Sequence, residues 1–203
     1  GLKRVETTQG MAGDIIAITG VKDAKIGDTI ADASAPHALP TIEIEEPTLK
    51  MAFSANTSPF AGREGKFVTS RQILERIERE LKTNVSMKLE MGTEGEYLVS
   101  GRGELHLSVF IEQLRREGYE LQVSKPFIIE KTIDGVRSEP IEELTVDVAN
   151  EYVGAVTAEV SRRKGILQVH DEQGGSTRLV FHISTRGLLG LRNQLLTLSR
   201  GTA

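Results

Sequence analysis

The sequence predicts an α+β chain: the end of a β structure followed by two sandwich units of order βαββαβ, the second truncated. Three observations carry this. Alternating apolar residues and helical stripes succeed one another in the same order twice, first over residues 46–125 and again over 126–203. Gly and Pro punctuate the boundaries between those elements. Residues 1–33, by contrast, contain turn residues and short alternating runs but no helical period.

In chain order, residues 2–7 and 14–19 read as short β segments around a turn at Gly10-Met11-Ala12-Gly13, with further turn signals at Gly20, Gly27 and Asp28. That stretch is too short to close a core of its own, so it is expected to complete a β structure that begins upstream. A linker framed by Pro36, Pro40 and Pro47 carries Glu43, Glu45 and Glu46. Leu49, Met51 and Phe53 then alternate as one face of a strand. Thr69 and Gln72 form a capping-box start, and Ile73, Leu74, Ile77 and Leu81 a helical stripe. Glu75/Arg79 and Glu78/Lys82 are i,i+4 pairs in the favourable order. Val85, Met87, Leu89 and Met91 alternate, Gly92 and Gly95 turn the chain, and Tyr97 and Val99 begin the next strand. Leu107, Phe110, Ile111 and Leu114 mark a second helix, stopped by Gly118 after Arg115-Arg116. Tyr119, Leu121 and Val123 close the unit. This is the order of a ferredoxin-like split βαβ.

From Pro126 the pattern nearly repeats. Leu144, Val146 and Val148 alternate, and Val153, Val156 and Val160 form a helical stripe ending at Gly165. Leu167 and Val169 pair through a Gly174-Gly175 turn with Leu179, Phe181 and Ile183. Leu188, Leu191 and Leu195 start another helix, and a final strand is expected to be missing. In that hairpin, alternation places His170 and His182 with Gln168 and Arg178 on a polar face opposite Leu167, Val169, Leu179 and Phe181. That face lacks the aromatic residues on which RRM-type sheets stack bases.

The net charge is −4, but the charge is segregated. Residues 1–50 carry five basic and eight acidic groups, and residues 51–125 eleven of each. Residues 126–203 carry nine basic and ten acidic groups, every acid at or before Glu172. The acid-free end holds Arg178, Arg186, Arg192 and Arg200, with Arg162-Arg163-Lys164 just upstream. A locally basic surface on an acidic protein is a candidate polyanion site, because neutralising phosphate releases counterions. The absence of Cys excludes disulfides and thiolate metal sites and permits a reducing compartment. No apolar run reaches the roughly 20 residues of a membrane span. The chain opens on Gly1-Leu2-Lys3-Arg4 without Met or a signal peptide, as expected for a piece of something longer.

Catalytic patterns are missing. Gly62-Arg63-Glu64-Gly65-Lys66 is followed by Phe67 and lacks the spacing of a phosphate-binding loop; Gly101-Arg102-Gly103 opens onto Glu104, which repels phosphate. The four His are scattered, and His106 is read as a packed side chain. Glu104 and Glu112 lie about 12 Å apart along one helix, too far for paired catalytic carboxyls. Glu104 is read as complementing a helix dipole. An acylphosphatase-like activity would need a Gly-rich cradle beside Asn150 or Asn193, and neither has one.

Residues 100–126, SGRGELHLSVFIEQLRREGYELQVSKP, resemble the third domain of translational GTPases of the elongation factor G class. Residues 56–80, NTSPFAGREGKFVTSRQILERIERE, narrow the resemblance to the BipA/TypA family, as do Thr185-Arg186-Gly187-Leu188-Leu189-Gly190 and Gly201-Thr202-Ala203. The resemblance implies that residues 1–45 are the end of a β-barrel second domain with a linker, 46–125 the third domain and 126–203 a fifth-type domain. It implies a ribosome-binding, conformational-relay segment of a cytoplasmic, ribosome-associated GTPase with roles in large-subunit assembly and stress adaptation. The partners expected are large-subunit ribosomal RNA and the protein's own GTPase and C-terminal domains, with a monomeric state. GTP and Mg²⁺ belong to the GTPase domain, and no cofactor or catalytic residue is expected in these residues. For RNA phosphate the candidates are Arg162, Arg163, Lys164, Arg186, Arg192 and Arg200, then Arg63, Lys66 and Arg71. The last three lie on or beside the long loop 56–69, a candidate for meeting the GTPase domain or the ribosome. The alternative is a protein-interaction module of tandem ferredoxin-like domains without RNA contact.

Overall fold

The computed structural model describes residues 5–203 apart from 22, 23, 25, 42 and 94. The chain divides into two units, 1–42 and 43–203. In the first, the described residues form neither helix nor strand, and Val5, Ile15, Ile16 and Ile18 are exposed. Alternating residues become a strand only when a partner strand takes up their backbone groups. Among the described residues of this unit, none is so paired. The expected segment at 2–7 begins outside the described residues.

The second unit opens with β1 (Leu49–Ala55), α1 (Ser70–Leu81), β2 (Lys88–Met91), β3 (Tyr97–Gly101), α2 (Glu104–Glu117) and β4 (Leu121–Val123). All pairings are antiparallel, in the order β2-β3-β1-β4, and β5 (Phe127–Ile128) also pairs with β1. The helices cover one face. Leu49, Phe53 and Val99 meet Ile73 and Ile77 of α1 and Leu107, Phe110 and Leu114 of α2 in a single core. Thr69 caps α1 with its capping box complete, and Gly118, at φ 91°, ends α2 in the left-handed conformation that glycine adopts without strain.

The ion pairs of α1 differ from those expected. Arg71 reaches Glu75, and Arg76 reaches both Glu80 and Glu117. Arg76 is only 7% exposed, its guanidinium 5.5 Å over the Phe110 ring, so it claims the neighbouring carboxylates and ties α1 to α2.

A hairpin of β6 (Lys131–Ile133) and β7 (Val136–Ser138) connects to a second layer. There β8 (Ile141–Ala149), α3 (Val153–Arg162), β9 (Ile166–Gln173), β10 (Ser176–Ser184), α4 (Thr185–Leu188) and α5 (Leu191–Leu198) follow in order. The sheet order is β8-β10-β9, which leaves one edge of β8 unpaired in that sheet. Val146, Val148, Leu179, Phe181 and Ile183 pack on Val156, Val160, Leu191 and Leu195.

One expectation is corrected here. The β9–β10 register shifts between Val180 and Phe181. His170 therefore sits opposite Leu179, while Val169 sits opposite Val180 and Ile166 opposite His182. The two histidines lie on different faces, and the outer face mixes Ile166, Val169 and Val180 with Arg178. A bulge inserts one residue and reverses the in–out phase beyond it.

Candidate nucleic-acid interface

The predicted cations occupy three places. The first is the end of α3. Arg162 donates to both oxygens of Glu159, at 2.9 and 2.7 Å, with its side chain largely exposed. Arg163 also reaches Glu159, at 2.8 Å, but turns inward: it donates to the carbonyls of Gly187 and Leu189, both at 2.8 Å, and to Gln194 Oε1 at 2.5 Å. Its guanidinium is spent on the protein. Arg163, one of the cations expected to meet phosphate, here ties the turn between α4 and α5 to α3. Hydrogen bonds from Arg162, then Arg163, hold the Glu159 carboxyl below its ordinary range. Lys164 follows with φ 66°, a left-handed conformation unusual for a residue with a Cβ.

The second place is the segment 185–200. Arg186 spans Glu139 and Glu130 at 3.2 and 3.4 Å. Arg192 stands in the first turn of α5, and Arg200, at φ 52°, just beyond its end. They are eight positions apart in the sequence. Among the described residues, Lys164, Arg192 and Arg200 have no carboxylate partner within 4 Å. Arg163 thus brings the 162–164 run beside the 186–189 turn, while Arg192 and Arg200 mark opposite ends of α5.

That turn also joins the two layers. Leu189 packs against the core of the first sandwich, and the Gly190 amide donates to Glu104 Oε2 at 3.0 Å. Glu104 therefore faces the amino ends of both α2 and α5. A groove of about 660 Å³ runs alongside, lined by Leu105, Leu144, Val146, Leu191 and Arg192.

The third place is the loop 56–69. Glu120 anchors it: its carboxylate accepts from the amides of Gly62 (2.8 Å), Gly65 (3.0 Å) and Glu64 (3.2 Å) and from Asn56 Nδ2 (2.8 Å). These donors, Gly62 first, hold its pKa down at about 2. A Cβ at Gly65 would collide with Glu120, lying 2.8 Å from its backbone nitrogen. Arg63 lies 5.1 Å over the Phe60 ring. Arg71 is paired with Glu75 at 2.9 Å.

Glu120 fills the amide cradle at 62–65, and no three acidic or His side chains among the described residues are placed for a divalent ion.

The chain is 48% identical to the large ribosomal subunit assembly factor BipA of Bacillus subtilis over 99% of its length, covering 33% of that protein. It is 50% identical to the protein of the same name from Synechocystis over 99% of its length, and 48% identical to that of Escherichia coli K12 over its whole length, covering 34% of each. The chain belongs to the BipA/TypA family. It spans about a third of the length of these curated relatives. Residues 136–203 match the family model for the elongation factor G C-terminus. A crystal structure of a Thermus thermophilus protein aligns with 84% of this chain and 41% of its own, at 16% identity and a TM-score of 0.47. Within this BipA/TypA chain, the elongation factor G match contains Arg162 to Arg200 and excludes the loop 56–69. No helix among the described residues is long and apolar enough to cross a membrane.

Sequence reasoning missed Arg76, Phe60, Glu120 and the Leu189–Glu104 joint. Only Phe60 carried a local signal, an aromatic between Pro59 and Gly62 in a segment without a period.

Proposed function

We propose that this chain is the ribosome-contacting and relay segment of a BipA/TypA translational GTPase. It touches large-subunit ribosomal RNA through phosphate and passes the nucleotide state of a GTPase domain along its sandwich domains. Residues 1–45 are then the end of a β-barrel with a linker, and 46–125 and 126–203 are ferredoxin-like domains. GTP and Mg²⁺ act in the GTPase domain, outside these residues. Arg162, Lys164, Arg186, Arg192 and Arg200 are the first phosphate contacts, Arg63, Lys66 and Arg71 the second, and Arg163 positions the first group.

The observation that carries this reading is the backbone of Lys164 and Arg200. Both hold φ above 50° at helix ends, where glycine is cheaper by about 1–2 kcal/mol, and neither meets a carboxylate among the described residues. A cation placed there at a cost in stability supports an anionic partner. The name shared by the relatives supports the large subunit as that partner.

Equilibrium binding of the protein to purified large ribosomal subunits across a salt series tests it. Changing Arg162, Lys164, Arg192 and Arg200 together to Ala should weaken binding. It should also flatten the log–log salt slope by roughly 0.7–0.9 for each phosphate that is no longer neutralised. Affinity independent of salt, or a variant that binds like the wild type, refutes it.

A further inference from the structure

We propose that Phe60 stacks an unpaired RNA base, presented on a loop that Glu120 holds rigid. The proposal rests on the RNA-contact reading and adds a kind of contact that reading lacks.

Segments of about fourteen residues without secondary structure are uncommon in compact domains and are functional or disordered. This one is tied down along its length. Besides the four donors on Glu120, the amides of Lys66 and Phe67 both donate to the Gly118 carbonyl, at 2.8 and 3.1 Å. The Glu120 amide returns a bond to Phe67 O at 3.0 Å, and the Phe67 ring lies 4.7 Å from that of Tyr119. Ser58 N closes the near end on Asn56 Oδ1 at 3.0 Å.

On this fixed backbone Phe60 is 65% exposed, more than any other phenylalanine: Phe53, Phe110 and Phe181 are buried, and Phe67 and Phe127 are 37% and 49% exposed. Holding an aromatic ring in water on an ordered loop forgoes the burial that Phe53, Phe110 and Phe181 gain. Arg63 lies over the ring and has no carboxylate partner among the described residues. With Arg63 over one face of the ring, the opposite face and the guanidinium are what an unpaired base and its phosphate would engage together. The occupant that this pairing of ring and unpaired cation fits is a nucleobase with its phosphate, of any identity, since stacking tolerates all four.

Binding of the intact protein to purified large ribosomal subunits is measured for the wild type, Phe60→Ala, Phe60→Leu and Phe60→Trp, with thermal unfolding to show that each folds. Phe60→Ala should weaken binding about tenfold or more with the salt slope unchanged, because the ring carries no charge. Phe60→Trp should retain binding, and Phe60→Leu should fail like Ala. A wild-type affinity in Phe60→Ala overturns the stacking while leaving the phosphate contacts standing. Retention by Phe60→Leu also overturns it and points to an apolar protein contact instead. Absence of binding by the wild type overturns both readings.

Discussion

Replacing Arg76 by Met tests whether one enclosed guanidinium holds the helices of the first sandwich together. Arg76 donates to Glu117 at 2.7 and 2.8 Å and to Glu80 at 3.0 Å. Met keeps much of the side-chain volume, so the change chiefly deletes the charge and its donors. Removing one partner of a fully buried pair costs about 3–5 kcal/mol. Here the Glu117 and Glu80 side chains are 41% and 18% exposed, so water recovers part of that, and the expected cost falls to about 2 kcal/mol. For a unit of this size that lowers Tm by about 4–8 °C. The effect depends on pH with a definite sign. Arg76 holds the Glu117 carboxyl below its ordinary value of 4.5. Stability from a carboxyl depressed in the folded state is complete above its unfolded value and lost as pH falls through the folded one. Urea unfolding followed by circular dichroism should show the full difference at pH 7 and a shrinking one below about pH 4.5. A cost under about 0.5 kcal/mol at pH 7, or a difference untouched by acid, refutes the reasoning.

Two other changes have defined outcomes. Lys164→Gly and Arg200→Gly should each stabilise the fold by up to about 1 kcal/mol while weakening binding to large subunits; a variant that gains stability without losing affinity removes that cation from the interface. His106 lies 2.9 Å from Asn84 Nδ2, and burial, then the charge of Arg102, pushes its pKa below the ordinary 6.5. The unfolded chain takes up that proton first, so stability should fall as pH drops through 6.5. His106→Asn should lose that part of the pH dependence between about pH 7.5 and 5.5. An identical pH profile in the variant refutes the assignment.

Much of the second unit was legible because its signals are local. The stripe at Ile73 and Ile77, the Thr69–Gln72 cap and the Gly118 stop each lie within a few residues of the structure they specify. The hairpin phase was not legible. Leu167 and Val169 alternate correctly with Gln168 and His170, and nothing in that string announces the shift that puts Val169 outside. The cations were legible as a group but not by role, since Arg162 and Arg163 are neighbours with identical chemistry and opposite fates.

By itself, then, the sequence determined the ends of α1 and α2 and the family, because each depends on residue identity and short-range spacing. Only the tertiary structure decided that Glu120 fills the loop's amides from more than fifty residues away, and that Arg163 belongs to the α4–α5 turn rather than to solvent. It also decided that Leu189 and Glu104 join the two layers. Such contacts depend on where the backbone brings distant groups, and a carboxylate or guanidinium takes whichever partner spares it the cost of an unpaired charge.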